Sequence, residues 1–294
     1  MRRIDFNSPR VGRALVTALL LTATNLPITT RSAVAQQASP AQDTDYNGED
    51  FTRPVTRFDL RFEYNASPGS GPTEGSIQRV DTEVAALRAE REINLDARWK
   101  LGLLTELPLV VNNAITPDDS LGDRVFGLGD AFFQAALTTQ IDDRWAVGFG
   151  ARMVAPTATD RLGTGRWQIM PGFGVRYSFT EWGPDTYFVP VLRYAISFAG
   201  DHSRRNISEP QFAPTLNIGL PDRWFVVLFP SNDIRVNFGD PVTGQTGRLF
   251  LPFDISVGRK VTDTMIMSLE VSVPIIKDYP VYDFKTEAKI GILF

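Results

Sequence analysis

Only one adjacent pair in this chain, His202 and Ser203, sets a hydroxyl nucleophile beside a general base. On a β-strand neighbours point to opposite faces and partners sit at i and i+2, so such a lipid-hydrolysing pair would depend on a loop at 200–208. His202 is the sole histidine and cysteine is absent, which removes disulfides, thiolate or His-rich metal sites, iron–sulfur clusters and a Cys nucleophile. No cofactor is implied. The net charge of −4 over 294 residues offers no basic excess to follow a phosphate backbone, so nucleic acid is not an expected partner. What remains is alternating charge: Arg57, Asp59, Arg61 and Glu63 near one end, Asp283, Lys285, Glu287 and Lys289 at the other.

Charges at every second position need an element of period two. In the last segment Tyr282, Phe284, Thr286, Ala288, Ile290, Ile292 and Phe294 fall on one face and the charges on the other; a helix would scatter those charges around its circumference. The same alternation recurs backward through the chain. It predicts twelve strands, at 55–64, 79–91, 98–111, 127–139, 145–156, 166–179, 186–199, 209–220, 224–238, 247–258, 264–276 and 282–294. The pattern is poorest in 79–91, where Arg88, Glu90 and Arg91 interrupt it.

Residues 1–35 read as a secretory leader: Arg2, Arg3, Arg10 and Arg13, the short apolar stretch Ala14 to Ala23, and Ala33-Val34-Ala35 as a cleavage site. Removing its five Arg and one Asp from 30 basic and 34 acidic residues leaves 25 and 33, a net charge of −8 on the exported chain. Beyond Ala35 the longest apolar run, Trp224 to Pro230, falls far below the roughly 18 residues of a membrane-spanning helix. Residues 36–54 are expected to be a periplasmic N-terminal segment ahead of a barrel at 55–294.

Soluble sandwiches and lipocalin-like barrels also alternate. Three features favour a transmembrane, antiparallel, up-and-down β-barrel. The strands reach the roughly 9 to 11 residues needed to cross an outer membrane at a tilt. Tight turns (96–98, 142–144, 221–223, 262–263) alternate with longer loops at 65–78, 112–126, 157–165, 200–208 and 239–246, the asymmetry of periplasmic turns and extracellular loops. Finally, Trp99, Trp145 and Trp224 directly follow tight turns and Trp182 lies in a fourth, a candidate girdle against outer-membrane lipid. The turns repeat as Asp-Ala-Arg-Trp at 96–99, Asp-Asp-Arg-Trp at 142–145 and Asp-Arg-Trp at 222–224, with turn acids at Asp96, Asp143, Glu181, Asp222 and Asp263.

With its leader, twelve strands and the end Lys289-Ile290-Gly291-Ile292-Leu293-Phe294, the chain resembles Gram-negative outer-membrane β-barrels. That resemblance implies that Phe294 is the signal read by the barrel-assembly machinery. Gly127-Leu128-Gly129-Asp130 and the Asp-x-Arg-Trp turns are similar, more narrowly, to transporter-like barrels of the meta-pathway phenol-degradation type.

If the apolar face meets lipid, the polar face lines a lumen. The first strand then contributes Arg57, Asp59, Arg61 and Glu63, the third Lys100 and Glu106, and the fourth to seventh Asp130, Arg152, Arg176 and Arg193. Asp233, Arg235, Asp254 and Glu270 follow on the ninth to eleventh, and Lys285, Glu287 and Lys289 on the last. Closure sets the first strand beside the last, so their charges form a ladder that can fix the register. Twelve strands lie between a barrel filled by its own side chains and one with an open channel; the charges either pair as a polar core or line a narrow pore. Pro171, Pro214 and Pro252 each fall about five residues into a strand, marking bulges above the bilayer or a gap through which an apolar solute leaves sideways. The expected function is passive uptake of small, hydrophobic or aromatic compounds through an outer-membrane channel. The alternative is a closed structural or interaction barrel with partner-binding loops.

Deleting Phe294 is expected to leave export intact and to impair insertion. Heat-modifiable mobility in outer-membrane fractions checks this, and a normal yield of folded barrel overturns the assembly role.

Overall fold

The computed structural model describes residues 47–68, 79–116, 122–160, 162–183, 185–231 and 233–294. The leader read at 1–35, the start of the segment read at 36–54, and the loop tips 69–78 and 117–121 lie outside the described residues. Long antiparallel strands account for most of the rest: β1 (Arg57–Pro68), β2 (Arg79–Asn94), β3 (Trp99–Ile115), β4 (Asp123–Leu128), β5 (Ala131–Gln140), β6 (Trp145–Ala155) and β7 (Arg166–Ser178). They continue as β8 (Tyr187–Gly200), β9 (Ser208–Gly219), β10 (Trp224–Leu228), β11 (Ile234–Val236), β12 (Leu249–Lys260), β13 (Met265–Lys277) and β14 (Phe284–Leu293). β4 and β5 both pair with β3, and β10 and β11 both bridge β9 and β12. The segments therefore fill twelve positions of one barrel, closed where β1 pairs with β14 from Arg57↔Leu293 to Ala66↔Phe284.

Two strands expected to be continuous are broken. Between β4 and β5, Gly129 donates its N–H to Pro108 O at 2.9 Å. A Cβ at Gly129 would stand 2.7 Å from Val110 Cγ2, so the close approach needs glycine there. Between β10 and β11, Phe229 takes φ 52°, a left-handed conformation rare for an aromatic residue. It is held there by Phe229 N to Asp254 O and Thr215 Oγ1 to Phe229 O, both 2.8 Å.

β2 runs to Asn94, past the predicted end at 91. The charges that spoil its pattern have a structural place: Arg88 and Glu90 face inward to Glu106 and Arg57, while Arg91 is exposed. The closing ladder also differs from the simple expectation, because Arg61 stands opposite Lys289 and Glu63 opposite Glu287. On the outer face the same register pairs Phe58 with Ile292 and Leu60 with Ile290. Backbone pairing and the apolar face set the register, and charges adjust diagonally, Arg61 to Glu287.

Four tight turns are closed by the same backbone bond. Leu95 N donates to Trp99 O, Ile141 N to Trp145 O, Leu220 N to Trp224 O and Val261 N to Met265 O, at 2.8 to 3.0 Å. Asp96 Oδ1 accepts from the N–H of Arg98 and Trp99, and Asp142 Oδ1 from those of Arg144 and Trp145, at 2.7 to 2.8 Å. These backbone donors hold both carboxyls below their ordinary pKa. In these two copies of the repeat the aspartate is thus an Asx-turn acceptor, Asp142 rather than Asp143 in the second, whereas in the third copy Asp222 and Arg223 take left-handed φ of 57° and 62°.

Leu269 faces outward, opposite Ala288 and Val257, with 54% exposure, whereas Glu270 is buried inside. Leu269→Lys is expected to destabilise the barrel in lipid vesicles by about 2 to 4 kcal/mol if the site is near the midplane, less nearer an interface. Urea unfolding in vesicles checks this, and a harmless Leu269→Lys reverses the faces.

Candidate functional site

The interior near the tight turns is filled by the chain itself. Residues 47–56 precede β1 and run inside the barrel wall, with Asn47, Asp50, Thr52 and Val55 each at most 5% exposed. Asn47 Nδ2 donates to Asn217 Oδ1 at 2.7 Å. Asp50 pairs with Arg176 at 2.9 Å and with Arg53 at 3.0 Å, Arg53 pairs with Asp185, and Glu49 with Lys289. Phe51 packs against Tyr187, Val189 and Val191. Its ring also lies over Gly148 and Gly174, where added Cβ atoms would meet it at 3.0 Å. Burial opposes the charge of Asp50, but the guanidinium groups of Arg53 and Arg176 and hydrogen bonds from Thr52 outweigh it and hold the carboxyl below its ordinary pKa.

Farther from the tight turns lies an interior cavity of about 560 Å³. On one wall Arg61 pairs with Glu287, and Glu106 with Arg88 at 2.5 Å. On another, Asp233 binds Arg235 and Lys285 at 2.5 and 2.6 Å, and Lys285 also reaches Glu270 at 2.6 Å. Glu63 lines the same space, holding Asn65. Arg152 lies flat on Phe132, its guanidinium carbon 3.9 Å from the ring centroid, and donates to Gln134 Oε1. Arg193 also reaches the cavity.

The other charges placed in the lumen by sequence sit at its margins. Arg57 pairs with Glu90 at 3.0 Å and with the buried Asp59 at 3.4 Å, beside residues 47–56. Asp254 is fully buried on β12. Lys100 pairs with Glu92 at the tight-turn rim and is half exposed. Asp130 differs from the expectation: its carboxylate accepts from Ala158 N, Thr164 N and Thr164 Oγ1, fixing the loop after β6 instead of facing open lumen. The inner face is not wholly polar either. Leu104, Phe132 and Val154 form one apolar cluster, and Phe225, Val227 and Ile266 another.

The wall carries a second space, an apolar pocket of about 630 Å³ lined by Phe149, Phe173, Leu192, Pro171 and Pro210, reaching Gly150, Gly172 and Arg193. Here the β7–β8 ladder is interrupted between Ile169↔Ile196 and Gly172↔Arg193, where Pro171 offers no N–H. Elsewhere prolines share a rung, Pro190 with Pro214 and Pro252 with Pro274, the latter beside a register shift. At the tight-turn end Trp145 meets Tyr177 at 4.8 Å, Trp182 stacks on Phe179 at 4.3 Å, Trp99 meets Phe149 at 6.0 Å and Arg259 lies over Trp224. Phe294 is 80% exposed, tied by its N–H to Thr56 O.

Sequence reasoning missed residues 47–56 as interior elements, and Arg88 as an interior charge. A signal existed: Gly148, Gly150, Gly172 and Gly174 recur at every second position on the inward faces of β6 and β7, a pattern that marks close approach of another group. The Ser203 hydroxyl donates to Asp201 Oδ1 at 2.8 Å, so it is engaged by a carboxylate instead of by His202.

A family model described as "Putative MetA-pathway of phenol degradation" matches residues 43–262. Among solved structures, the COG4313 outer membrane channel from Pseudomonas putida F1 is similar, with a TM-score of 0.63 and 15% identity over 88% of this chain and 100% of that one. The NanC porin follows at TM-score 0.48 and 13% identity, covering 81% and 98%. No curated protein matches the chain.

Asp50→Asn would leave Arg176 buried without its carboxylate and is expected to weaken docking of residues 47–56 by about 3 kcal/mol. Hydrogen exchange of their amides should rise accordingly. Because the Asp50 carboxyl is depressed, its contribution is present above the ordinary value of about 3.9 and is lost as pH falls through the lower folded value, so protection should hold from about pH 8 to about pH 5.

Proposed function

We propose, starting from the fact that this chain belongs to the MetA-pathway phenol-degradation family, that it is an outer-membrane channel for passive uptake of small hydrophobic or aromatic compounds. In this reading the leader at 1–35 exports the chain. The tight turns face the periplasm, residues 47–54 enter the barrel from that side, and the tryptophans and Phe294 serve lipid anchoring and assembly.

The observation that carries the reading is where the interior is filled and where the wall is incomplete. Residues 47–56 occupy the tight-turn end with paired charges and Phe51, which disfavours straight passage of a bulky solute. The apolar pocket beside Pro171 meets outward-facing Phe149, Phe173 and Leu192, and shares Arg193 with the interior cavity. A hydrophobic solute entering from the loop side has a short route to lipid there, driven by the gain of about 25 cal/mol for each Å² of apolar surface removed from water. Small ions would pass slowly around residues 47–56.

Two experiments test this. Planar-bilayer recordings should give small, defined openings that enlarge when residues 47–54 are deleted; silent bilayers from a heat-modifiable, folded barrel would favour the closed structural alternative. The pairs Ile169↔Ile196 and Gly172↔Arg193 on either side of the interruption align position 171 with 194, and the chain has no native cysteine. Oxidising a Pro171→Cys, Tyr194→Cys double variant should therefore staple the wall. Uptake of an uncharged aromatic into vesicles should fall and return on reduction while ion conductance stays unchanged. Unaltered uptake across the stapled seam would remove the sideways exit.

A further inference from the structure

Seven cations line the interior cavity, and five of them have partners of opposite sign. Arg88 has Glu106, Arg61 has Glu287, Arg235 has Asp233, Lys285 has Asp233 and Glu270, and Lys289 has Glu49. Arg152 and Arg193 form no ion pair among the described residues. Arg193 Nε is buried without a hydrogen-bond acceptor. Arg152 spends two of its donors on the neutral Gln134 oxygen, and Arg193 lines the same interior spaces. Two like charges that face the same space away from bulk water, with donors to spare, are costly unless an anion joins them.

The surroundings define that anion. Both arginines line the interior cavity and the smaller space beside Phe51, and Arg193 also forms the inner end of the apolar wall pocket. The Arg193 side chain crosses Gly172, where an added Cβ would stand 2.6 Å from its Cγ, so glycine permits this route along the wall. Met170 packs with the Leu104, Phe132 and Val154 cluster on the same side of the interior. Planar guanidinium groups match a carboxylate in two-point fashion, while Phe132 and the wall pocket offer apolar surface next to the charge.

We propose that Arg152 and Arg193 form a binding site for the carboxylate of a small amphiphilic acid, an aryl or short alkyl monocarboxylate whose apolar body lies toward the wall pocket. The inference rests on the channel reading in taking that acid to be a transported solute, while the site itself is a matter of binding. Glu63 on the cavity's opposite wall disfavours dianions, so one negative charge fits better than two.

Isothermal titration of the folded, detergent-purified full-length chain with sodium benzoate is expected to show one saturable site. Arg193→Gln and Arg152→Gln should each weaken it by about tenfold or more, as expected for loss of a charge-assisted contact. Arg193→Lys, which keeps the charge and loses the planar fork, should weaken it less. Benzyl alcohol, with the same ring, and inorganic phosphate, with charge alone, should both bind more weakly than benzoate. Benzyl alcohol binding as well as benzoate, or benzoate binding indifferent to both Gln substitutions, overturns the site. If Arg193→Gln does not give a heat-modifiable barrel, Arg152→Gln decides the matter alone. Conductance measured on the same preparations separates the two readings. Benzoate binding with silent bilayers removes the channel and keeps the site, whereas conductance without benzoate binding removes the site and keeps the channel.

Discussion

Each of the twelve positions in this barrel has a neighbour on both sides, and the other features of the molecule depend on that closure. A peptide N–H or C=O left unpaired in hydrocarbon costs several kcal/mol, so a sheet that spans lipid must leave no edge. The β1–β14 pairing supplies the last seam, over ten residue pairs from Arg57↔Leu293 to Ala66↔Phe284. Once the ring is closed, alternation sends Phe58, Leu60, Leu269 and Ile290 outward and Asp59, Arg61, Glu270 and Lys289 inward, with no further choice left to the chain.

The inward face then has to solve the reverse problem. Charges concentrated inside twelve strands are removed from bulk water, and each needs an opposite partner or a hydrogen bond. The chain meets part of this demand with strand-to-strand pairs such as Arg88 with Glu106. It meets another part with residues 47–56, which bring Glu49 to Lys289 and Asp50 to Arg176. The same short segment carries Phe51 to the surface left bare by Gly148 and Gly174. Filling the tight-turn half and neutralising it are thus one act, and they leave most of the free volume in the other half and on the β7–β8 side.

Where closure is imperfect, the imperfection is local. Pro171 interrupts one seam, paired prolines share rungs at 190/214 and 252/274, and Phe229 and Gly129 break single strands. The breaks at Gly129 and Phe229 are re-satisfied by specific bonds. At Pro171 the wall instead bears an apolar pocket. A barrel can tolerate such a place because the neighbouring seams remain paired.

The twelve barrel positions, the inward or outward direction of most side chains and the position of the tight turns were legible in the residue order, because they depend on a period of two and on local turn chemistry. Asp96 and Asp142 illustrate this: the repeat Asp-x-Arg-Trp encodes its own hydrogen bonds within four residues. Partners far apart in the chain were not legible. Nothing local tells Asp50 that it will meet Arg176, or Arg61 that its acid is Glu287 and not its neighbour Asp59. Nor does residue order reveal that Arg152 and Arg193 are left over when the pairing is done. Such facts arise only when barrel closure fixes twelve strands in register and brings residues 47–56 inside, since charge pairing falls off over a few ångströms and depends on the position of every other charge.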